Sequence, residues 1–307
     1  MLKFYSDQGY LMNASHKLKT ISALAIATVF WASAFSAIRY ALDYFSTAHI
    51  VLLRFLCASI LLILIGTWKK IGLPKRKDIP MIAFLGITAF PVYQFALVEG
   101  EKTVLAGTAS MIVAASPIIV SILAVLFYKE KLNWIGWLGS LVGFAGVAMI
   151  SFIDLSSFEL QPGVLFVFAA AVCISIYNVF QKQLHQSYSV LQLTVYTIVA
   201  GTLVLLVKLP GLGVSLQEAP IHATLSVVYL GVFPTVISFL LWNYGLRQVS
   251  ATLGSSFHYL TPVIAVFIAW VWLGELPTLL TLSGGILTII GVIIVSSWGK
   301  TSKTDHH

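Results

Sequence analysis

The chain has 307 residues, 59% of them hydrophobic and only 9% charged. Soluble domains carry about 25% charged residues, so this composition excludes a water-soluble globule and makes lipid the solvent. The net charge of +7 would suit nucleic acid in a soluble protein. Here a positive bias in cytoplasmic loops accounts for it, and nucleic acid is excluded as a partner.

The first 18 residues are mixed and polar, so no cleavable signal peptide is expected, and either Met1 or Met12 serves as the start. Ten apolar segments follow, at roughly 19–40, 48–68, 79–99, 104–127, 134–153, 162–181, 190–208, 222–245, 250–273 and 279–298. Each has close to the ~20 residues needed to cross about 30 Å of hydrocarbon. Together they leave no room for a soluble domain. Lys3, Lys17 and Lys19 precede the first segment, and Lys69, Lys70, Lys75, Arg76 and Lys77 follow the second. Lys129 and Lys131 follow the fourth, Lys182 the sixth, Arg247 the eighth, and Lys300 and Lys303 the tenth. The intervening gaps hold Asp43, Glu99, Glu101, Asp154, Glu159, Glu218 and Glu275. Loops that stay in the cytoplasm keep Lys and Arg, so this alternation predicts ten spans with both termini inside, and cytoplasmic tails at 1–18 and 300–307. Cys57 and Cys173 fall inside predicted spans and can build neither a disulfide framework nor a metal cluster. No metal or cofactor is expected.

Shifting the sequence by 145 residues places Leu85 and Gly86 on Leu230 and Gly231, Gly100 on Gly245, Lys102 on Arg247, Ala106 on Ala251 and Ser110 on Ser255. Pro117 falls on Pro262, Glu130 on Glu275, Gly139 on Gly284, and Gly146 on Gly291. Apolar runs align by chance; prolines, glutamates and spaced glycines do so much less readily. The reading is a duplicated five-span unit, 19–153 and 154–299. An odd number of spans makes the second copy enter from the other side, and inverted repeats place a substrate site near the midplane between the copies.

The series Pro117, Glu130, Gly139, Gly146 and its echo at Pro262, Glu275, Gly284, Gly291 resembles the EamA-type branch of the drug/metabolite transporter superfamily. The stretch from Gly100 to Ser110 is similar to one bacterial subgroup of that branch. The likeness covers about residues 20–298. It implies an all-α integral membrane carrier of ten helices in the bacterial inner membrane. It further implies a central cavity lined mainly by helices 1, 3, 4, 6, 8 and 9, with the helix 5 and helix 10 pair packed to the side.

Pro91, Pro117, Pro234 and Pro262 lie well inside segments. Each removes a backbone hydrogen bond and bends its helix, so they are the hinge candidates, against the plain commonness of proline in membrane helices. Polar groups at membrane depth should face inward. The substrate candidates on this ground are Trp31, Ser33, Tyr93, Gln94, Ser110, Tyr177, Asn178, Gln181, Trp242, Asn243, His258 and Tyr259, with Ser116, Ser255 and Ser256 beside them. Hydrogen-bonded helix glue is the competing role for each Ser or Asn. His258 is the titratable side chain in mid-span, read either as a proton-coupling or substrate group or as a neutral histidine bonded to a neighbouring helix. Arg39 and Arg54 are placed near the outer ends of spans 1 and 2, where both can snorkel and Arg39 is in reach of Asp43 four residues on; an extracellular gate or an anion-attracting vestibule is the alternative. Glu99, Glu101 and Lys102 read as a loop ion cluster or a gate. The glycine stripes Gly136, Gly139, Gly143, Gly146 and Gly284, Gly285, Gly291 permit close helix packing within one chain or between two, so monomer and homodimer both fit.

The chain lacks H-E-x-x-H, G-x-S-x-G and Walker A motifs, which argues against an enzyme and against direct drive by ATP. A pocket of neutral amides, hydroxyls and aromatics suits a small zwitterion, with amino acids the leading solute and export the leading direction. Uptake, a nucleoside, a cationic drug and a non-transporting membrane protein are the alternatives.

Overall fold

Hydrocarbon offers no partner to a backbone N–H or C=O, so a chain dissolved in it must close its hydrogen bonds within helices. The computed structural model describes residues 14–129, 132–154, 159–246 and 251–298. Lys3, Glu130, Lys131, Arg247, Lys300 and Lys303 lie outside the described residues, as does most of both predicted tails. The long helices are α1 (Ala14–Ala41), α2 (Thr47–Trp68), α3 (Arg76–Gly100), α4 (Ala106–Tyr128), α5 (Trp134–Ser151), α6 (Pro162–Leu184), α7 (Val190–Lys208), α8 (Ile221–Gly245), α9 (Ala251–Leu273) and α10 (Leu279–Trp298), with a short helix at Leu212–Glu218 between α7 and α8. Among the described residues, eight helical stretches are long and apolar enough to cross a membrane, and those of α5 and α9 are shorter. Local sequence sets several ends. The Ser46 hydroxyl accepts from His49 N–H to cap α2, and Ser189 with Gln192 forms a reciprocal capping box on α7. Pro162 opens α6, where a missing N–H costs nothing. The departure from the expected all-helical chain is small: β1 (Phe152–Asp154) pairs antiparallel with β2 (Glu159–Leu160) in the linker between the halves.

Contacts between helix ends sort into two sets. At one face, Tyr188 accepts from Lys75 N–H and donates to Asp78, Tyr196 donates to the Gly72 carbonyl, and Gln183 donates to Tyr128. At the other, Arg39 reaches Glu275, Thr47 reaches Glu99, and His49 meets Pro210 and Ser215. The first is called the near face, where α1 begins, and the second the far face, where α1 ends.

Two helices are broken in the same way. α3 widens into a π-helical turn at Thr88–Val92 around Pro91, and α8 at Gly231–Ile237 around Pro234. α4 breaks at Ala114–Ala115, and its second part starts at Ser116 with Pro117 in the first turn. Pro262 lies within α9. All four hinge candidates thus mark or occupy helix interiors, three of them at visible breaks.

Glycine contacts recur with the halves exchanged. A Cβ on Gly139 would meet Ile294 and the Gly291 carbonyl, while one on Gly284 would meet the Gly146 carbonyl. Under the 145-residue shift these are the same contact. Gly86 of α3 likewise lies against Thr197 and Ala200 of α7, and Gly231 of α8 against Arg54 and Ala58 of α2. The two glycine stripes therefore face each other within one chain and bring α5 and α10 together as a lateral pair, leaning on α4.

A methyl group at Gly146 would press on the Gly284 carbonyl and Thr288 of α10. Gly146→Ala is expected to cost about 1–3 kcal/mol through overpacking, seen as a lower melting temperature in detergent. Gly213→Ala, where a Cβ meets nothing within 4 Å, should show no such loss. Equal melting of the two variants would contradict the close packing of α5 on α10.

Candidate functional site

A cavity of about 550 Å3 lies among α1, α2, α3, α4, α6, α7, α8 and α9. The expected set of lining helices omitted α2 and α7, which supply Arg54, Phe55, Val190, Thr194 and Ile198. The π turns put them there. Gly86 and Gly231 let α7 and α2 approach the broken parts of α3 and α8 to backbone distance. As expected, α5 and α10 supply no lining residue.

Most of the predicted substrate residues meet in this cavity. Trp31, Tyr93, Gln94, Tyr177, Asn178, Gln181, Trp242, Asn243 and His258 all line it, and so does the hinge residue Pro234. The His258 ring stacks on Trp31 at 5.4 Å between centroids and 8° between planes, and it meets Trp242 at 4.3 Å. Trp31 Nε1 donates to the Pro234 carbonyl at 3.0 Å. This shelf of two indoles and an imidazole forms one wall. Phe55, Phe90 and Tyr177 form another, edge to face.

Three of the predicted residues stand elsewhere. Ser33 bonds to Tyr229 at 2.6 Å and to the Phe30 carbonyl. Ser110 donates to the Gly107 carbonyl one turn back. Tyr259 packs on the apolar cluster of Ile118, Val292 and Val295. Ser116 likewise bonds to the Val113 carbonyl. The side chains of Ser255 and Ser256 lie outside the described residues. Pro91 packs against Gly201 of α7 rather than lining the cavity.

The sequence reading put Arg54 near an aqueous end; the structure buries it in the cavity wall at 6% exposure. Its Nε donates to the Thr235 hydroxyl and its Nη1 to Gln94 Oε1, both at 3.0 Å. Two of its five donor hydrogens are thus placed. Among the described residues no carboxylate pairs with this guanidinium. Thr261 on α9 also lines the cavity, and its buried hydroxyl lacks a hydrogen-bond partner. The Arg54 guanidinium keeps donor hydrogens for a ligand. Arg54 lies seven residues inside α2, about 10 Å along the axis, and that depth was the available signal.

The cavity has one closed end and one open end. Arg54, Gln94 and Leu97 form its buried roof. Asn178, Gln181 and exposed His185 step down α6 to the near face, bonded in sequence at 3.1 and 3.3 Å. Partial desolvation at the mouth holds the His185 imidazole below its usual range. Above the roof the far face is tied shut. Arg39 pairs with Glu275 rather than with Asp43, at 3.1 Å, and donates to the carbonyls of Glu101 and Lys102. The second Glu275 oxygen accepts from Ala106 N–H at the start of α4, and Lys102 pairs with Glu99. One carboxylate and one guanidinium therefore bind α1, α3, α4 and the α9–α10 loop together.

Comparison with known proteins accords with this architecture. The model of the EamA-like transporter family matches the chain twice, at residues 18–152 and 161–297. The uncharacterized transporter YdfC of Bacillus subtilis is 42% identical, with 85% of this chain and 86% of that protein covered. A probable terminal-alkyne amino-acid exporter of Streptantibioticus cattleyicolor is 37% identical over 91% of this chain and 93% of its own length. A solved crystal structure 18% identical in sequence shares the fold with a TM-score of 0.61, covering 91% of this chain and 96% of its own. Eight long apolar helices, a half-open central cavity and these matches lead to one assignment: the chain is a multi-pass membrane protein belonging to the EamA-like transporter family.

Proposed function

We propose that this protein is a secondary carrier that exports amino acids across the bacterial inner membrane by alternating access. In this reading ten helices span the membrane as two inverted units, 19–153 and 154–299, with both termini and the near face in the cytoplasm. The glycine contacts that recur with the halves exchanged support the repeat, and so does the double match to one family model. The closed far face and open near face correspond to an inward-open state. Exchanging the roles of the two units opens the far face instead.

One observation carries the choice of solute: the buried Arg54 guanidinium borders the cavity with three donor hydrogens unassigned and no carboxylate paired to it. A solute carboxylate supplies the missing anion, and arginine's fork suits it in bidentate geometry. The aromatic walls take an apolar or aromatic side chain. The faces of Trp31 and Trp242 attract an ammonium group. His258 belongs to this shelf and is assigned to solute contact. A cationic drug fits poorly, because Arg54 repels it and among the described residues no carboxylate lines the cavity. The relative named as a probable terminal-alkyne amino-acid exporter supports the same class.

Two measurements check this. In proteoliposomes, labelled phenylalanine should show counterflow that unlabelled phenylalanine inhibits and phenylalaninol, which lacks the carboxylate, does not. Arg54→Gln should raise half-saturation about tenfold or more, because a hydrogen bond to a charged group is worth ~1.5–3 kcal/mol and about 1.4 kcal/mol is a factor of ten. Equal inhibition by phenylalaninol would remove Arg54 as the carboxylate site, and absence of counterflow across a full amino-acid panel would sink the carrier reading. Access is the second check. With Cys57 and Cys173 replaced by Ala, Gln181→Cys should react with a membrane-impermeant thiol reagent in inverted vesicles and stay protected in right-side-out ones. The opposite pattern would invert the proposed topology.

A further inference from the structure

Glu101 is the fully buried carboxylate among the described residues. Its exposure is 0%, and neither carboxyl oxygen has a hydrogen-bond partner. Its backbone N–H donates to the Leu97 carbonyl at 3.0 Å. The residue therefore stands one helical turn beyond the cavity roof, in the septum between the cavity and the far face. The charged and titratable groups that act on it come from every side of that septum: Arg39 of α1, Arg54 of α2, Tyr93 of α3 and Glu275 of the α9–α10 loop. Its neighbour Lys102 turns away to Glu99. Arg39 is already committed to Glu275 and to two backbone carbonyls, one of them that of Glu101 itself.

An ionised carboxylate in such a place lacks both water and hydrogen-bond donors, and it sits beside a second carboxylate that holds the gate together. The proton removes both penalties. Burial, reinforced by Glu275, holds the Glu101 carboxyl well above the usual carboxylate range, against the opposing pull of Arg39 and Arg54.

We propose that Glu101 is a proton-binding site whose occupancy keeps the far gate shut, so that gate opening and proton release are one coupled event. On opening, the O–H bond of Glu101 breaks, the proton passes to water at the far face, and the carboxylate left behind is hydrated. On closing, the same oxygen takes a proton back before the septum seals. A site with a higher pKa in the closed state than in the open one favours closure when protonated. That bias is full below the open-state pKa and is lost as pH rises through the closed-state pKa. The inference rests on the alternating-access reading given above and adds the ion that biases it.

The test follows the gate itself and needs no knowledge of the solute. In nanodiscs, with Cys57 and Cys173 replaced by Ala, spin labels go on Thr103→Cys and Leu276→Cys, on either side of the far gate. Electron paramagnetic resonance should report a close pair at acidic pH and a growing separated population as pH rises, with a midpoint above the ordinary carboxylate range. Glu101→Gln, a permanent mimic of the protonated acid, should stay closed at every pH. Glu101→Asp keeps a titratable carboxyl in the septum and leaves the Arg39–Glu275 latch intact; it should keep a pH-dependent gate, which keeps the idea testable should Glu101→Gln fail to fold. An unchanged titration in Glu101→Gln, a gate insensitive to pH in Glu101→Asp, or no pH response in the parent would each overturn the proposal. Counterflow without pH-linked gate motion would leave the carrier reading intact and remove this one. Gate motion without flux of any panel solute would do the reverse.

Discussion

Everything in this chain follows from the rule that lipid satisfies no backbone hydrogen bond. A helix dissolved in hydrocarbon can break only where other protein groups take over the freed carbonyls, so breaks and polar machinery occur together. Pro234 has no N–H for the Leu230 carbonyl, and the Thr235 hydroxyl donates to that carbonyl at 2.8 Å instead. The same hydroxyl accepts from Arg54 Nε. The Pro234 carbonyl accepts from Trp31 Nε1, and Trp31 in turn fixes the plane of His258. A single π turn thereby positions a guanidinium on one wall and an aromatic shelf on the other. This accounts for the cavity sitting at the broken parts of α3 and α8 rather than elsewhere in the bundle.

The far face obeys a second economy. Surface ion pairs contribute little because water competes for both partners. The Arg39–Glu275 pair is only partly exposed, at 33% and 13% of the two side chains, and each partner also bonds to backbone. Its value is connectivity: it ties four chain segments across the mouth with groups that water can separate. The near face has no equivalent knot at the cavity mouth among the described residues. There the Tyr188 contacts join Lys75 of the α2–α3 loop and Asp78 of α3 to the α6–α7 loop, and none of the three lines the cavity. One end is latched and the other is open, and the latch is made of ionisable groups.

The helices, their ends and most of the cavity lining were legible in the sequence because they follow from local rules. Apolar length gives spans, and polar groups at depth must face inward, which located Asn178, Gln181, Trp242 and His258. The misses share a different cause. Ser33 and Ser110 satisfy themselves on carbonyls three residues back, and spacing alone cannot distinguish a hydroxyl that bonds to its own helix from one that faces a cavity. Arg54 reads in sequence as a snorkelling or vestibule side chain at the outer end of span 2, whereas its depth in α2 buries it in the cavity wall. Glu99 and Glu101 look like one loop cluster in sequence. Two residues at a helix end point about 200° apart around the axis, so one reaches Thr47 and Lys102 at the surface while the other is sealed in the septum.

The duplication separates scaffold from chemistry. The 145-residue shift carries Gly86 to Gly231, Gly139 to Gly284 and Gly146 to Gly291, so the close approaches pack alike, and the two π turns overlap although Pro91 falls on Val236 and Pro234 on Ala89. It repeats Glu275 as Glu130 but not the charged and polar groups of the cavity roof and septum. Arg39 falls on Leu184, Arg54 on Val199, Gln94 on Phe239 and Glu101 on Leu246. A scaffold with exchangeable halves would by itself give two access states of similar energy. Under the proposed reading, Arg54 and Glu101, which have no charged counterpart in the second copy, make those energies unequal and dependent on whatever neutralises them: an anion beside Arg54, a proton on Glu101. The two sites are also linked, because Arg54 is one of the cations that pull the Glu101 carboxyl towards ionisation. Under the proposed alternating-access reading, the repeat supplies the capacity to switch, and Arg54 and Glu101 decide what throws the switch.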